Sequence, residues 1–513
     1  MKNTFIANCL VALCVLLLAA GCGRRNAAVP SQFAEQHRHA AIYPDYADVV
    51  VPPNIAPMNF IVHEGAGEYV VRLSVQGGGE KQTLAVAAGE DGKVEFPEAE
   101  WHSLLSSARG GSISTEVFAK KDGSWLRFEP QTMAVAAEPI DQYLSYRLIE
   151  PGYEVYRQLG LYQRNLTNFS QATIYENNRK YDENNNHCVN CHNYQNYSTR
   201  NMLFHIRGKH GGTMFVSDGK ARKMNMKSDS ILSSAVYPAW HPRKKWVVFS
   251  SNVTGQAFHT LDRQKIEVMD LASDLVFFDV ESGKISNILK TTDDLETFPC
   301  WSPDGSALYY CSAHIPGFAA IPDSMRTGYI EQHYRDLHYN IMKMSFDERT
   351  REFGKPQMVL DCAAIGKSAT VPRVSPDGRY LLFTLGPYGQ FHIWHRSADL
   401  YIAELATGKV SPLSEANSPD TESYHAWSSN GRWIVFTSRR DDGSFTRLYI
   451  SYFDTSGHAH KAFLLPQRDP EQNILLLKSY NVPELTKDAV SVSPAEFKSL
   501  IYTTEGTPVV YGR

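Results

Sequence analysis

Cysteine is scarce in this chain, 8 among 513 residues, which excludes a fold built on a dense disulfide framework. An excess of charge of one sign is missing as well. With 51 basic against 55 acidic residues the net charge is only −4, so no global field draws the chain to nucleic acid or to an anionic membrane surface. Beyond residue 20 no apolar run approaches the roughly 20 residues that a spanning helix needs. GxSxG, HExxH and Walker-type glycine loops are absent too, which removes the usual signatures of serine hydrolases, zincins and nucleotide sites. Function therefore has to be sought in local sites.

The N-terminus carries a targeting pattern. Lys2 precedes an apolar run from Cys9 to Ala20, and small residues follow, in the order of a secretory signal. The stretch LAAGC, ending at Cys22, resembles a bacterial lipobox. The resemblance implies a signal over residues 1–21, lipidation of Cys22, and a body held outside the cytoplasm on the inner or outer membrane. A tether is expected over 22–45, where no periodicity is sustained. Cys9 and Cys14 then leave with the signal, and Cys188 and Cys191 form a motif. Cys300, Cys311 and Cys362 remain, an odd number that leaves at least one free thiol.

Downstream, the fold class reads as mainly β. From residue 46 to 138, short alternating runs such as EYVVRLSVQ and SISTEVFAKK are divided by GAGE, GGGE, EDGK and KDGS, which predicts an N-terminal β-sandwich, immunoglobulin-like or fibronectin-like. Residues 139–200 turn rich in Tyr, Asn and Arg and read as a partly helical, loop-rich segment. From 201 to 513 a repeat appears: YPAWHPRKKWVVFSS at Tyr237, FPCWSPDGSALYYCS at Phe298, VPRVSPDGRYLLFT at Val371 and YHAWSSNGRWIVFTS at Tyr424. Each is a strand, a tight turn and a second strand, and such units bury their faces only by stacking around an axis, as in a β-propeller. These hairpins resemble those of TolB-type (WD40-like) propellers over about 250 residues. Five to six blades are expected, the fifth from residues 201–227 closed by the C-terminal LIYTTEGTPVVYG.

Within the Asn-rich segment stands NHCVNCHN, residues 186–193. Three chemistries compete for Cys188, Cys191 and His192. A thioredoxin-like dithiol needs a strand-to-helix junction in an α/β pattern, and none surrounds it. Structural zinc needs two more Cys or His at defined spacing, whereas only His187 is adjacent. Covalent haem c needs CxxCH alone: two thiols for the vinyl groups and a proximal histidine. Attachment takes place outside the cytoplasmic membrane, where the lipobox independently puts the chain. One motif implies one haem.

CHNYQNYSTRNMLFHIRG resembles the haem segment of c-type cytochromes fused to TolB-like propellers. The resemblance implies a sixth iron ligand from the following strand, here Met202 or His205, with His210 and Met214 as weaker choices. In an extended strand Met202 and His205 point to opposite faces, so at most one can serve. The pairs His392/His395 and His458/His460, and the stretch RRDDG at 439–443, read as solvated loop polarity.

The resulting expectation is a membrane-anchored monohaem c-type cytochrome that transfers electrons or binds a redox or envelope partner protein, not nucleic acid. Its rivals are a non-redox envelope scaffold and a haem enzyme with an open coordination position.

Overall fold

The structure, a computed structural model, describes residues 27–76, 82–150, 158–177, 187–261, 264 and 266–512. Cys22 and the expected signal lie outside the described residues. The chain is mainly β and divides into two compact units. One comprises the residues up to Ala137 together with Pro466–Gln472, and the other runs from Glu138 to Leu465 and from Asn473 onward. Among the described residues no helix is long and apolar enough to cross a membrane.

Among its described residues the first unit holds a seven-stranded and a three-stranded sheet. Glu68–Gln76 lies between Thr83–Ala88 and Ser112–Lys121, antiparallel to both. Its Val71 and Leu73 are fully buried. Two findings differ from the sequence reading. The expected tether is structured from Ala34: Ala34–His39 pairs in parallel with Ser124–Glu129. Its side chains are almost all exposed, so backbone pairing makes this strand and no apolar alternation announces it. A helix, Glu98–Ala108, follows Pro97 and buries Trp101, Leu104, Leu105 and Ala108, the i, i+3, i+4, i+7 stripe of an amphipathic helix. The segment 466–472 belongs to this unit, where Lys93 Nζ meets Asp469 at 3.1 Å and Glu471 at 2.6 Å.

Among its described residues the second unit is a succession of six antiparallel sheets in the arrangement of a β-propeller. Their inner strands are β1 (Cys188–Gln195), β2 (Ala235–Trp240), β3 (Asp294–Trp301), β4 (Ser368–Val374), β5 (Glu422–Trp427) and β6 (Ser479–Thr486). Each inner strand touches the next, and β6 touches β1. Closure corrects the sequence reading twice. The segment 139–200 is not a loop-rich linker: Tyr143–Ile149, Gly160–Asn165 and Gln171–Glu176 build one sheet with β6. Residues 201–227 supply the outer strands of the sheet whose inner strand is the CVNCH segment itself. The far C-terminus adds only short parallel edge strands, Thr507–Pro508 and Val510–Tyr511. Leu500 and Ile501 lie in a helix, Pro494–Thr503.

The repeated turn has a specific chemistry. In SPDG at 302–305, Ser302 Oγ donates to Asp304 Oδ1 at 2.5 Å and accepts from the Ala307 N–H at 3.0 Å, while the Gly305 N–H closes on the Ser302 carbonyl at 2.9 Å. Ser375–Asp377–Gly378 and Ser428–Asn430–Gly431 repeat the same bonds. Gly305 has φ +72°, and a Cβ there would stand 2.4 Å from His241 Nε2, so only glycine fits.

Candidate functional site

All six inner strands share a defect at the same place. Cys191, Tyr237, Phe298, Val371, Tyr424 and Val482 have φ between +39° and +53°. The ladder register slips beside each of them. A non-glycine residue with positive φ is uncommon, and a bulge bends its strand and re-aims the side chains around it. Six in one ring therefore build a single feature. Together they line one cavity of about 530 Å3, within the 300–1,000 Å3 typical of cofactor and ligand pockets.

The bulge on β1 explains how the motif meets this cavity. In a regular strand, residues three apart point to opposite faces, which would separate Cys188 from Cys191. With the extra residue inserted, Cys188, Cys191 and His192 all line the cavity, and both thiols are free. Burial pushes the Cys188 thiol up, against the opposing charges of Arg147 and Arg207. His192 is buried, and burial together with the charge of Arg147 pushes its pKa down to about 3, while a hydrogen bond to the Val482 backbone acts against this. The imidazole is therefore neutral, and its buried Nε2 has no hydrogen-bond partner among the described residues. An unpartnered lone pair on a neutral imidazole is the form a metal ligand requires.

The other sequence candidates lie elsewhere. Met202 is fully buried in an apolar cluster with Tyr175, Phe204 and Met214, paired in register with Tyr194. His205 faces the other way, its Nδ1 2.7 Å from Thr213 Oγ1 and its ring against Phe249. His210 packs on Tyr502. None of the four lines the cavity. His187 bonds the Tyr175 hydroxyl through Nε2 at 2.8 Å and is likewise outside it. Among the described residues no three His, Cys, Asp or Glu side chains are grouped to hold a metal ion. Cys300, Cys311 and Cys362 are free and buried in the sheet interfaces. Contrary to expectation, His392, His395 and Arg439 are buried, not solvated: His392 Nδ1 lies 3.2 Å from Thr370 Oγ1, His395 Nε2 3.3 Å from Glu267, and the Arg439 guanidinium over the Trp394 ring.

Sequence reasoning missed the residues that complete the cavity wall. Arg147, Arg207, Arg373 and Glu484 line it with the aromatic rings of Tyr237, Phe298 and Tyr424. Glu484 Oε1 accepts from Asn193 Nδ2 at 2.6 Å, its Oε2 has no hydrogen-bond partner among the described residues, and burial pushes its carboxyl up to about 7 against the charge of Arg373. The repeat did hold the signal for the aromatic wall. Tyr237, Phe298, Val371 and Tyr424 open the four repeats at equivalent positions, so radial stacking must bring them together. Arg147 and Glu484 come from segments outside the repeat and gave no such sign.

No protein-family model matches the chain, and no curated protein matches it. Solved structures do. Hydrazine synthase from Kuenenia stuttgartiensis aligns at 13% identity and a TM-score of 0.41, over 68% of this chain and 48% of that one. Prolyl oligopeptidase B from Galerina marginata aligns at 8% identity and a TM-score of 0.36, over 68% of this chain and 42% of that one. The β-propeller domain of the Trilobed protease from Pyrococcus furiosus aligns at 11% and 0.31, over 70% and 95%. The chain thus spans about half the length of the hydrazine synthase chain. At these values the likenesses carry no argument about function.

Proposed function

We propose that the chain is a lipid-anchored, extracytoplasmic monohaem c-type cytochrome whose haem is attached through Cys188 and Cys191 with His192 as proximal ligand, in a six-bladed propeller formed by the six sheets. The observation that carries the reading is the convergence of two free thiols and a neutral, buried imidazole with an unpartnered Nε2 on one cavity. The aromatic wall suits a flat apolar macrocycle. Bound there, haem c would supply a one-electron iron couple for exchange with a redox partner. The chain's own part is to hold the two thiols on one side through the bulge, to keep His192 neutral by burial, and to exclude bulk water.

A second reading, a haem enzyme with an open coordination position, is favoured by the placement of Met202 and His205 outside the cavity wall. The test is expression in a host with cytochrome c assembly machinery, followed by a pyridine haemochrome assay and absorption spectra. Absence of covalent haem overturns both redox readings. Spectra of Met202→Ala and His205→Ala are expected to match the parent. A pentacoordinate parent that turns over peroxide selects the enzyme.

A further inference from the structure

The ring encloses a second cavity. Two residues beyond each bulge stand Asn193, Ala239, Cys300, Arg373, Ala426 and Glu484, and all six line a cavity of about 350 Å3 that reaches the turns after the inner strands at Pro242, Ser302 and Pro376. Of the six, only Asn193, Arg373 and Glu484 also line the cavity of the CVNCH motif. The two cavities therefore meet across one layer of side chains between the inner strands. Among the described residues Glu484 is the only carboxylate that lines both.

This carboxyl is held without being neutralised. Oε1 accepts from Asn193 Nδ2 at 2.6 Å, and Asn193 Oδ1 in turn accepts from the Trp240 N–H at 3.2 Å. A further bond comes from the Tyr194 backbone, so these bonds do not involve Cys188, Cys191 or His192. Oε2 is left open among the described residues. Arg373 acts on the carboxyl through space, with no ion pair to it within 4 Å among the described residues. Burial, working against that charge, makes the group titrate at about 7, where a proton is readily gained and lost. The groups around it hold their charge there: Arg373 supplies a fixed positive one, and Ala239, Ala426 and Asn193 have no proton to exchange. Burial pushes the Cys300 thiol and the Tyr194 and Tyr197 phenols up and His192 down.

We infer that Glu484 is a proton-carrying residue between the two cavities, taking a proton through water in the second cavity when the occupant of the motif cavity gains an electron. The inference rests on the haem reading. One electron passes from a one-electron donor to the occupant, one proton passes from bulk solution to the carboxylate, and oxidation reverses both. The second cavity is polar and roomy enough to carry water. An added negative charge in the motif cavity raises the proton affinity of the carboxylate, and by reciprocity each proton bound there favours the reduced state.

The test uses the full-length holoprotein and the variants Glu484→Gln, Glu484→Asp and Ala426→Phe, the last filling the second cavity at a position that does not line the first. Haem content is read first, and its absence from the parent overturns the proposed function. With haem present, the ferric-to-ferrous ratio of the parent at a fixed applied potential is expected to rise by up to about tenfold per pH unit around the titration of Glu484. Glu484→Gln flattens this dependence, and Glu484→Asp retains it. During stopped-flow reduction, Ala426→Phe slows proton uptake from a pH-indicator dye several-fold and leaves the pH dependence of the ratio unchanged; Ala426→Leu replaces it where it fails to fold. An equal pH dependence in the parent and Glu484→Gln overturns the proton at Glu484. Equal uptake rates in the parent and the filled-cavity variant overturn the route through the second cavity. Should the parent lack haem, an infrared carbonyl band of a protonated carboxyl that titrates near neutrality and is missing from Glu484→Gln supports Glu484 as the exchanging group, and the lack of such a band overturns it.

Discussion

Replacing Cys191 and His192 together by valine and proline separates a haem site from a structural repeat. The pair sits at the ring position that holds Tyr237-Pro238, Phe298-Pro299, Val371-Pro372, Tyr424-His425 and Val482-Pro483 in the other five inner strands. Val371 and Val482 already adopt φ values of +53° and +46°, and proline follows the bulge residue in four of the five. The backbone should therefore accept the change. Loss of the His192 hydrogen bond to Val482 costs about 0.5–1.5 kcal/mol, while removal of the unpaired buried Nε2 recovers about 1–3 kcal/mol. The two nearly cancel, leaving a net change within about 2 kcal/mol, or a few degrees in Tm for a unit this large. Thermal unfolding of the apo-protein by far-UV circular dichroism checks this value, and a haemochrome assay on protein matured in a competent host checks attachment. The expected outcome is a folded chain without covalent haem. If the double variant fails to fold, Cys191 and His192 belong to the blade and not to a cofactor. If it folds and keeps its haem, the attachment site is elsewhere.

Three further outcomes are expected. Glu267 is fully buried, its carboxyl is pushed up to about 8 by burial, and its neighbour His395, 3.3 Å away, is pushed down to about 4. Both are therefore largely neutral at pH 7, and the contact is not an ion pair. Because the folded pKa of Glu267 lies above its unfolded value, its stabilising contribution is full below about pH 4.5 and is lost as pH rises toward 8. Urea unfolding should then show the parent losing up to about 4 kcal/mol relative to Glu267→Gln between pH 5 and 8, and parallel pH profiles would refute the assignment. Trp101 is fully buried, stacked on Phe96 and bonded through Nε1 to the Ile55 carbonyl at 2.9 Å. Its change to alanine should cost about 3–5 kcal/mol in denaturant unfolding, and a loss under 1 kcal/mol would contradict the packing. Cys22→Ser should move the protein from the detergent phase to the aqueous phase in a membrane partition assay, and unchanged partition would remove the lipid anchor.

Much of the second unit was legible because its turns are written within five or six residues. Ser302, Asp304 and Gly305 make their bonds to one another and to Ala307, so WSPDG states its own geometry. CVNCH was legible for the same reason, as chemistry at fixed spacing. Other parts were not. The expected β-sandwich over residues 46–138 leaves no place for the helix Glu98–Ala108, although its apolar stripe Trp101, Leu104, Leu105 and Ala108 is present in the sequence. Met202 and His205 are the sixth-ligand candidates that the resemblance to the haem segment of fused cytochromes implies, yet neither lines the cavity, which strands from all six sheets close.

The local code thus determined the hairpins, the repeat and the thiol pair with its histidine. Only the tertiary structure decided that Tyr143–Ile149 pairs with Ser479–Thr486, joining segments over 300 residues apart, as in the bond from Arg147 to Asn481. That closure brings six bulges onto one cavity and sets two arginines beside the CVNCH segment. The physical reason is that turn and bulge geometry comes from neighbours in the chain, whereas the company a side chain keeps inside a ring comes from whichever strands complete it.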